Sequence, residues 1–181
     1  MHNEHPVHRS IGSFDETILP HLDAAFNYAR WLTRNDAEAE DVVQDACVRA
    51  LRYFSSLRGD DARAWFFAIV RNAWYSRIAR HAKVTSMTPL NETGDSAADD
   101  ALDPEARLLQ QTTVAHVREA LAQLPVDFRE VIVLREIEGM SYKEIASVVQ
   151  VPIGTVMSRL ARGRERLLAL LKSEPAVEGV L

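Results

Sequence analysis

The chain has 181 residues, with 21 lysines and arginines against 26 aspartates and glutamates, for a formal net charge of −5. That length suits one domain or two small ones, and no run approaches the roughly eighteen apolar residues of a membrane span. A single cysteine, Cys47, excludes an internal disulfide and fits a reducing cytosol. Net acidity would argue against nucleic acid if the charges were mixed, but here they are segregated. Asp36, Glu38, Glu40, Asp41 and Asp45 crowd one stretch, while Arg71, Arg77, Arg80 and Lys83 crowd another.

Residues 1–13 are polar and lack the apolar centre of a signal peptide. His2, His5 and His8 in this stretch could hold a metal, but a flexible tail is the simpler reading, and no metal site is expected. Further on, Val42, Val43, Ala46, Cys47, Ala50, Leu51 and Phe54 recur at helical spacing and predict an apolar face. The other face carries Glu38, Asp41, Gln44, Asp45 and Arg49. Taken alone, that face is a solvated surface with an Asp45–Arg49 pair one turn apart. Cys47 reads as a small buried hydrophobe rather than a redox centre.

In the run from Arg63 to Asn72, Trp65, Phe66, Phe67, Ile69 and Val70 read as core. Beyond it the character changes, with Trp74 and Tyr75 interleaved among Arg71, Arg77, Arg80, His81 and Lys83. Aromatic rings are stacking platforms for unpaired bases and cations track a phosphate backbone, the combination that single-strand binding uses. Core packing is the alternative for each aromatic.

Val84 to Asp103 is rich in turn formers and acids, without a basic residue, and reads as a flexible acidic linker. The expected organisation is a tail (1–13), a helical domain (14–83), the linker (84–103), a second helical domain (104–172) and a tail (173–181). The expected fold class is all-α, two small helical domains of which the second is a helix-turn-helix. Val117, Leu121 and Leu124 open its helical pattern.

Ser141 with Glu144 three positions on is a capping box, which satisfies two amides at a helix start. The helix so opened turns Ile145, Ala146, Val148 and Val149 inward and stops at Gln150-Val151-Pro152. Val156, Leu160, Gly163, Leu167 and Leu171 then define one face of a second helix, with Arg159, Arg162 and Arg166 on a neighbouring stripe and Arg164 and Lys172 around it. A short helix, a tight turn and a basic helix suit the major groove of duplex DNA. No nucleophile–base pair, phosphate loop or metal-ligand cluster points to an enzyme, and no cofactor is expected.

Three motifs in this order resemble a bacterial sigma factor of the extracytoplasmic-function type: Ala39-Glu-Asp-Val-Val-Gln-Asp45, Arg63-Ala-Trp-Phe-Phe-Ala-Ile-Val-Arg-Asn72, and Gly154-Thr-Val-Met-Ser-Arg-Leu160 followed by Arg162 and Arg164. The resemblance covers Phe14 to Leu171. It implies docking of the first motif on the clamp helices of the largest subunit of core RNA polymerase, through Asp41, Gln44, Asp45, Arg49 and Arg52, with the polymerase flap as a further contact. It implies that Arg71, Asn72, Trp74, Tyr75, Ser76, Arg77 and Arg80 receive single-stranded DNA of the −10 element. Relatives often carry an acid where Ser76 stands, so base preference there is expected to differ. The last helix would read the duplex −35 element, with Met157, Ser158, Ala161 and Arg162 toward base edges and Thr155, Arg159, Arg164 and Arg166 toward phosphates. Many relatives have a basic residue in place of Met157, so an apolar contact is expected there. The resemblance further implies an anti-sigma partner, a cytoplasmic location and no membrane insertion. The competing expectations are a helix-turn-helix regulator acting without polymerase, and a sigma mimic that titrates a partner protein.

Overall fold

The computed structural model describes residues 13–58, 61–84 and 104–173, and these are helix and turn with no strand among them. His2, His5, His8, linker residues 85–103 and tail residues 174–181 lie outside the described residues.

The N-terminal half holds α1 (Phe14–Ile18), a 3-10 turn (Leu19–His21), α2 (Leu22–Thr33), α3 (Asp36–Tyr53), a second 3-10 turn (Phe54–Ser56) and α4 (Ala62–Val84). A capping box of Ser13 and Glu16 opens α1. Between α2 and α3 the chain reverses on Arg34, which takes a left-handed φ of 60°, and Asn35 then caps α3 by accepting from the Glu38 amide. Ala39, Val42, Ala46 and Ala50 are fully buried along α3. These small residues, at three- and four-residue spacing, let α2 and α4 pack closely on this helix. Leu51, expected on the apolar face, is 63% exposed. It follows Ala50 by one residue, a rotation of about 100° around the helix that carries it off the packed stripe. Tyr28, Phe66, Phe67 and Val70 fill the centre, with the Tyr28 and Phe67 rings stacked at 5.3 Å.

The C-terminal half comprises α5 (Pro104–Gln123), α6 (Val126–Ile132) running into a π-helical turn (Val133–Ile137), α7 (Tyr142–Val149) and α8 (Ile153–Ser173). Both halves of the Ser141/Glu144 capping box form, and Gln150 ends α7 in a left-handed conformation at φ 57°. Pro152 offers its carbonyl to the amides of Thr155 and Val156, so α8 begins directly after it. Val156, Leu160 and Gly163 are buried against the rest of this half, as their spacing predicts. Leu121 and Leu124 are buried too, whereas Val117 is 36% exposed, farther out along α5.

The two halves pack against each other, α4 on α7 and α2 on α6. Much of that seam is apolar, but it is crossed by charged groups that bear directly on the candidate site.

Candidate nucleic-acid interface

Along α3, Asp41 and Gln44 are exposed, with Val48 and Leu51 beside them on the open surface and Arg52 beyond. Asp45 and Arg49 are half-buried. The acids are not idle. Arg77 Nη2 donates to Asp41 Oδ2 at 2.9 Å and Arg80 Nη2 to Asp45 Oδ2 at 3.5 Å. The expected Asp45–Arg49 pair is therefore replaced by one across helices, because α4 lies alongside α3 and brings its cations to the acidic face.

On α4 the single-strand candidates divide. Asn72 is exposed, and the Ser76 hydroxyl donates back to its carbonyl at 2.7 Å, an internal bond that uses the hydroxyl's one proton and leaves its oxygen only to accept from a base. Arg80 Nε reaches the Ser76 carbonyl at 3.3 Å. Trp74 is only 8% exposed and belongs to the core, so in this arrangement it offers no face to a base. Tyr75 is half-buried and carries the Arg71 guanidinium 4.5 Å above its ring. Burial pushes the Tyr75 phenol up, and the charges of Glu130, Arg71, Asp127 and Arg159 also act on it, placing this ring beside the C-terminal half.

The base-side candidates on α8 are open: Met157 is 52% exposed, and Ser158, Ala161 and Arg162 are exposed. Ser158 turns its hydroxyl back to the Thr155 carbonyl at 3.0 Å, and Thr155 itself is half-buried. Of the phosphate-side candidates, Arg159 pairs with Asp127 at 2.9 Å and Arg164 with Glu136 at 2.5 Å, while Arg166 stacks 5.2 Å over the Phe128 ring. Arg162 makes no ion pair with a described residue.

Sequence reasoning missed the residues that join the halves. Glu130 is fully buried, and its Oε1 accepts from Tyr28 Oη at 2.8 Å and from Arg71 Nε at 2.6 Å. Its Oε2 has no hydrogen-bond partner among the described residues. Burial pulls the Arg71 guanidinium down, but the bond and charge of Glu130 outweigh it and raise it overall. Tyr28, enclosed and facing the same carboxylate, is held well above the usual phenol range. A second crossing runs from Arg63 Nη2 to the Glu138 carbonyl at 2.7 Å and to its Oε2 at 3.1 Å. One signal could have flagged the first: Arg129-Glu130 opens the otherwise apolar run Val131-Ile132-Val133-Leu134, where an acid is out of place. No group of histidine, cysteine or acidic residues among the described ones is arranged to hold a metal.

Residues 17–84 match the family described as Sigma-70 region 2, and residues 116–167 match Sigma-70, region 4. The RNA polymerase sigma-H factor of Pseudomonas aeruginosa is 33% identical over 86% of this chain and 84% of its own length. The ECF RNA polymerase sigma-E factor of Escherichia coli K12 is 33% identical over 72% of each chain. Among solved structures, the sigma factor RpoE of Bartonella quintana, in complex with the anti-sigma factor NepR, superposes with a TM-score of 0.73 at 30% identity, over 91% of this chain and 100% of that one. CnrH in complex with the cytosolic domain of CnrY gives 0.64 at 28% identity, over 90% and 89%. Two sigma-70 regions in the expected order, carried on an all-helical scaffold, make this chain a member of the extracytoplasmic-function group of RNA polymerase sigma factors.

Proposed function

We propose that the chain is a dissociable initiation subunit that binds core RNA polymerase, directs it to promoters through their −10 and −35 elements and assists strand opening. The observation that carries this is one chain presenting two different surfaces. One is the exposed acid–amide–apolar face of α3, with Asp41, Gln44, Val48 and Leu51. The other is a capped helix-turn-helix whose second helix leaves Met157, Ser158, Ala161 and Arg162 open near its N-terminal end. Mixed acidic and apolar character suits the basic clamp helices of the polymerase, and α8 has the geometry of a major-groove reader.

The finer assignments follow from the same surfaces. Asp41, Gln44, Asp45, Arg49 and Arg52 are the polymerase-facing set, with the flap as a second polymerase contact for the C-terminal half. Arg71, Asn72, Tyr75, Ser76, Arg77 and Arg80 are the single-strand set, and Trp74, packed in the core in this arrangement, joins them only when α4 repacks. No helix is long and apolar enough to cross a membrane among the described residues, and action on polymerase places the chain in the cytoplasm. Solved relatives are held by anti-sigma proteins, which supports a protein of that kind as the regulator here.

Run-off transcription with purified core polymerase on a promoter library tests the proposal. Transcripts that depend on the chain and share two spaced elements are expected. Co-elution with core but no transcript would point to a titrating mimic. A chain that neither binds core nor yields transcript, yet protects duplex DNA alone, would be a helix-turn-helix regulator.

A further inference from the structure

The carboxylate of Glu130 sits where three facts meet. It is fully buried, it comes from the C-terminal half, and both of its partners come from the N-terminal half, Tyr28 at 2.8 Å and Arg71 at 2.6 Å. Tyr28 is fixed by its stack on Phe67, and Arg71 by its place above the Tyr75 ring. Glu130, Arg71 and Tyr75 therefore form one column, with a cation of the single-strand set taken by an internal acid. Phosphate and carboxylate compete for the same guanidinium; Glu130 takes the Arg71 Nε–H, and with the side chain only 14% exposed the group is poorly placed to serve DNA while the halves are closed.

The joint is specific without being strong. Glu130 Oε2 has no hydrogen-bond partner among the described residues, and a buried charge bonded through one oxygen recovers only part of its desolvation cost. Opening returns the carboxylate to water and exposes a cation stacked on an aromatic ring, a pair suited to an unpaired nucleotide. The Arg63–Glu138 crossing gives the seam a second fixed point, so the halves are registered at two places rather than merely adherent.

We propose that Glu130 is an intramolecular latch: in the free chain it holds the two halves closed and keeps Arg71 and Tyr75 from single-stranded DNA, until polymerase draws the halves apart. This rests on the sigma-factor reading for its opener, but the latch itself is a property of the free chain.

The test uses the full chain with Cys47→Ser and dye-labelled cysteines at the exposed positions of Ser55→Cys and Ala169→Cys, read by single-molecule energy transfer. A fluorescent oligothymidine is titrated in parallel. Glu130→Gln and Tyr28→Phe should each enrich an extended population and raise oligothymidine affinity about ten- to a hundredfold, as expected for loss of one buried hydrogen bond to a charged group. Tyr28→Phe keeps the ring stack on Phe67, so it carries the test if Glu130→Gln fails to fold. Compact molecules with unchanged affinity in the folded variants would overturn the latch. Opening without a gain in affinity would overturn the masking of Arg71. Core polymerase should shift the unsubstituted chain to the extended population, and core bound to a compact chain would also sink the idea. Failure of run-off transcription would count against the sigma-factor reading, while the energy-transfer result would still report on the latch.

Discussion

Arg77 Nη2 donates to Asp41 Oδ2 at 2.9 Å, joining a residue proposed to hold single-stranded DNA to one proposed to dock on polymerase. Arg80 and Asp45 repeat the relationship about one helical turn further on. Polymerase that engages the two carboxylates would free the two cations. The pairs are exposed, and such pairs contribute only about 0.2–1 kcal/mol each. Asp41→Asn should therefore raise affinity of the isolated chain for a single-stranded oligonucleotide by about 1.5- to 5-fold at low salt. The gain should vanish at high salt, where screening has already removed the pair. Fluorescence anisotropy at two ionic strengths measures it, and a salt-independent gain would contradict the pairing as its cause.

Asp45→Arg tests the docking side of the same contact. It places a cation opposite Arg80 and turns the acidic face toward neutrality, so co-elution with core polymerase should be lost. Far-UV circular dichroism should be unchanged, because Asp45 belongs to no buried core cluster. Lost helicity would make it a structural residue instead.

Arg162 differs from its neighbours. Arg159 and Arg164 are already paired with Asp127 and Glu136, while Arg162 is exposed with no such partner among described residues. Arg162→Ala should weaken binding by roughly 1–3 kcal/mol and relax selectivity at one base pair of the upstream element. Transcription by the holoenzyme on a set of single-base promoter variants reads this out. A uniform loss over all variants would assign Arg162 to a phosphate.

What the sequence made legible is what local rules govern. The Ser141/Glu144 box and the Val156–Leu160–Gly163 stripe depend on residues three or four apart, and both are present. The Ser13/Glu16 box obeys the same rule and could have been read. The π-helical turn at Val133–Ile137 could not, since its residues are ordinary helix formers and the widened turn answers to packing. Likewise, Tyr28 meets Glu130 across 102 positions and Arg71 meets it across 59. Periodicity reports which face is buried, not which distant chain segment covers it, so the closure over Arg71 and Tyr75 was out of reach.

Glu138 and Glu144 flank the turn at Gly139 and should titrate in opposite senses. Burial pushes the Glu138 carboxyl above its ordinary 4.5, against the pull of the Arg63 charge and hydrogen bond. The Ser141 side chain and backbone amide hold Glu144 below 4.5. For Glu138 the folded state favours the proton, so its contribution is complete below 4.5 and lost as pH rises through the raised value. For Glu144 the contribution is present above 4.5 and lost as pH falls through the depressed value. Relative to the unsubstituted chain, Glu138→Gln should gain stability as pH rises above 4.5, and Glu144→Gln should lose stability as pH rises toward 4.5 from below. Urea unfolding across a pH series gives both differences, and slopes of the same sign would refute the assignment.

At Gly163, α8 packs tightly against α6. A Cβ there would lie 2.9 Å from Ile132 Cδ1 and 3.2 Å from Phe128 Cβ. The isoleucine tip can yield, but the phenylalanine Cβ moves only with its backbone. Alanine would also gain roughly 1 kcal/mol of helix propensity over glycine, so Gly163→Ala should be close to neutral. Valine adds two carbons to the same gap, and overpacking of that kind costs about 1–3 kcal/mol. Gly163→Val should lower the melting temperature by several degrees. Because Phe128 also carries Arg166 and α8 carries Arg162, forcing the helices apart should weaken duplex binding as well. Calorimetry with a promoter-binding assay measures both, and a valine variant with an unchanged melting temperature would mean that α6 and α8 are not in tight contact at this position.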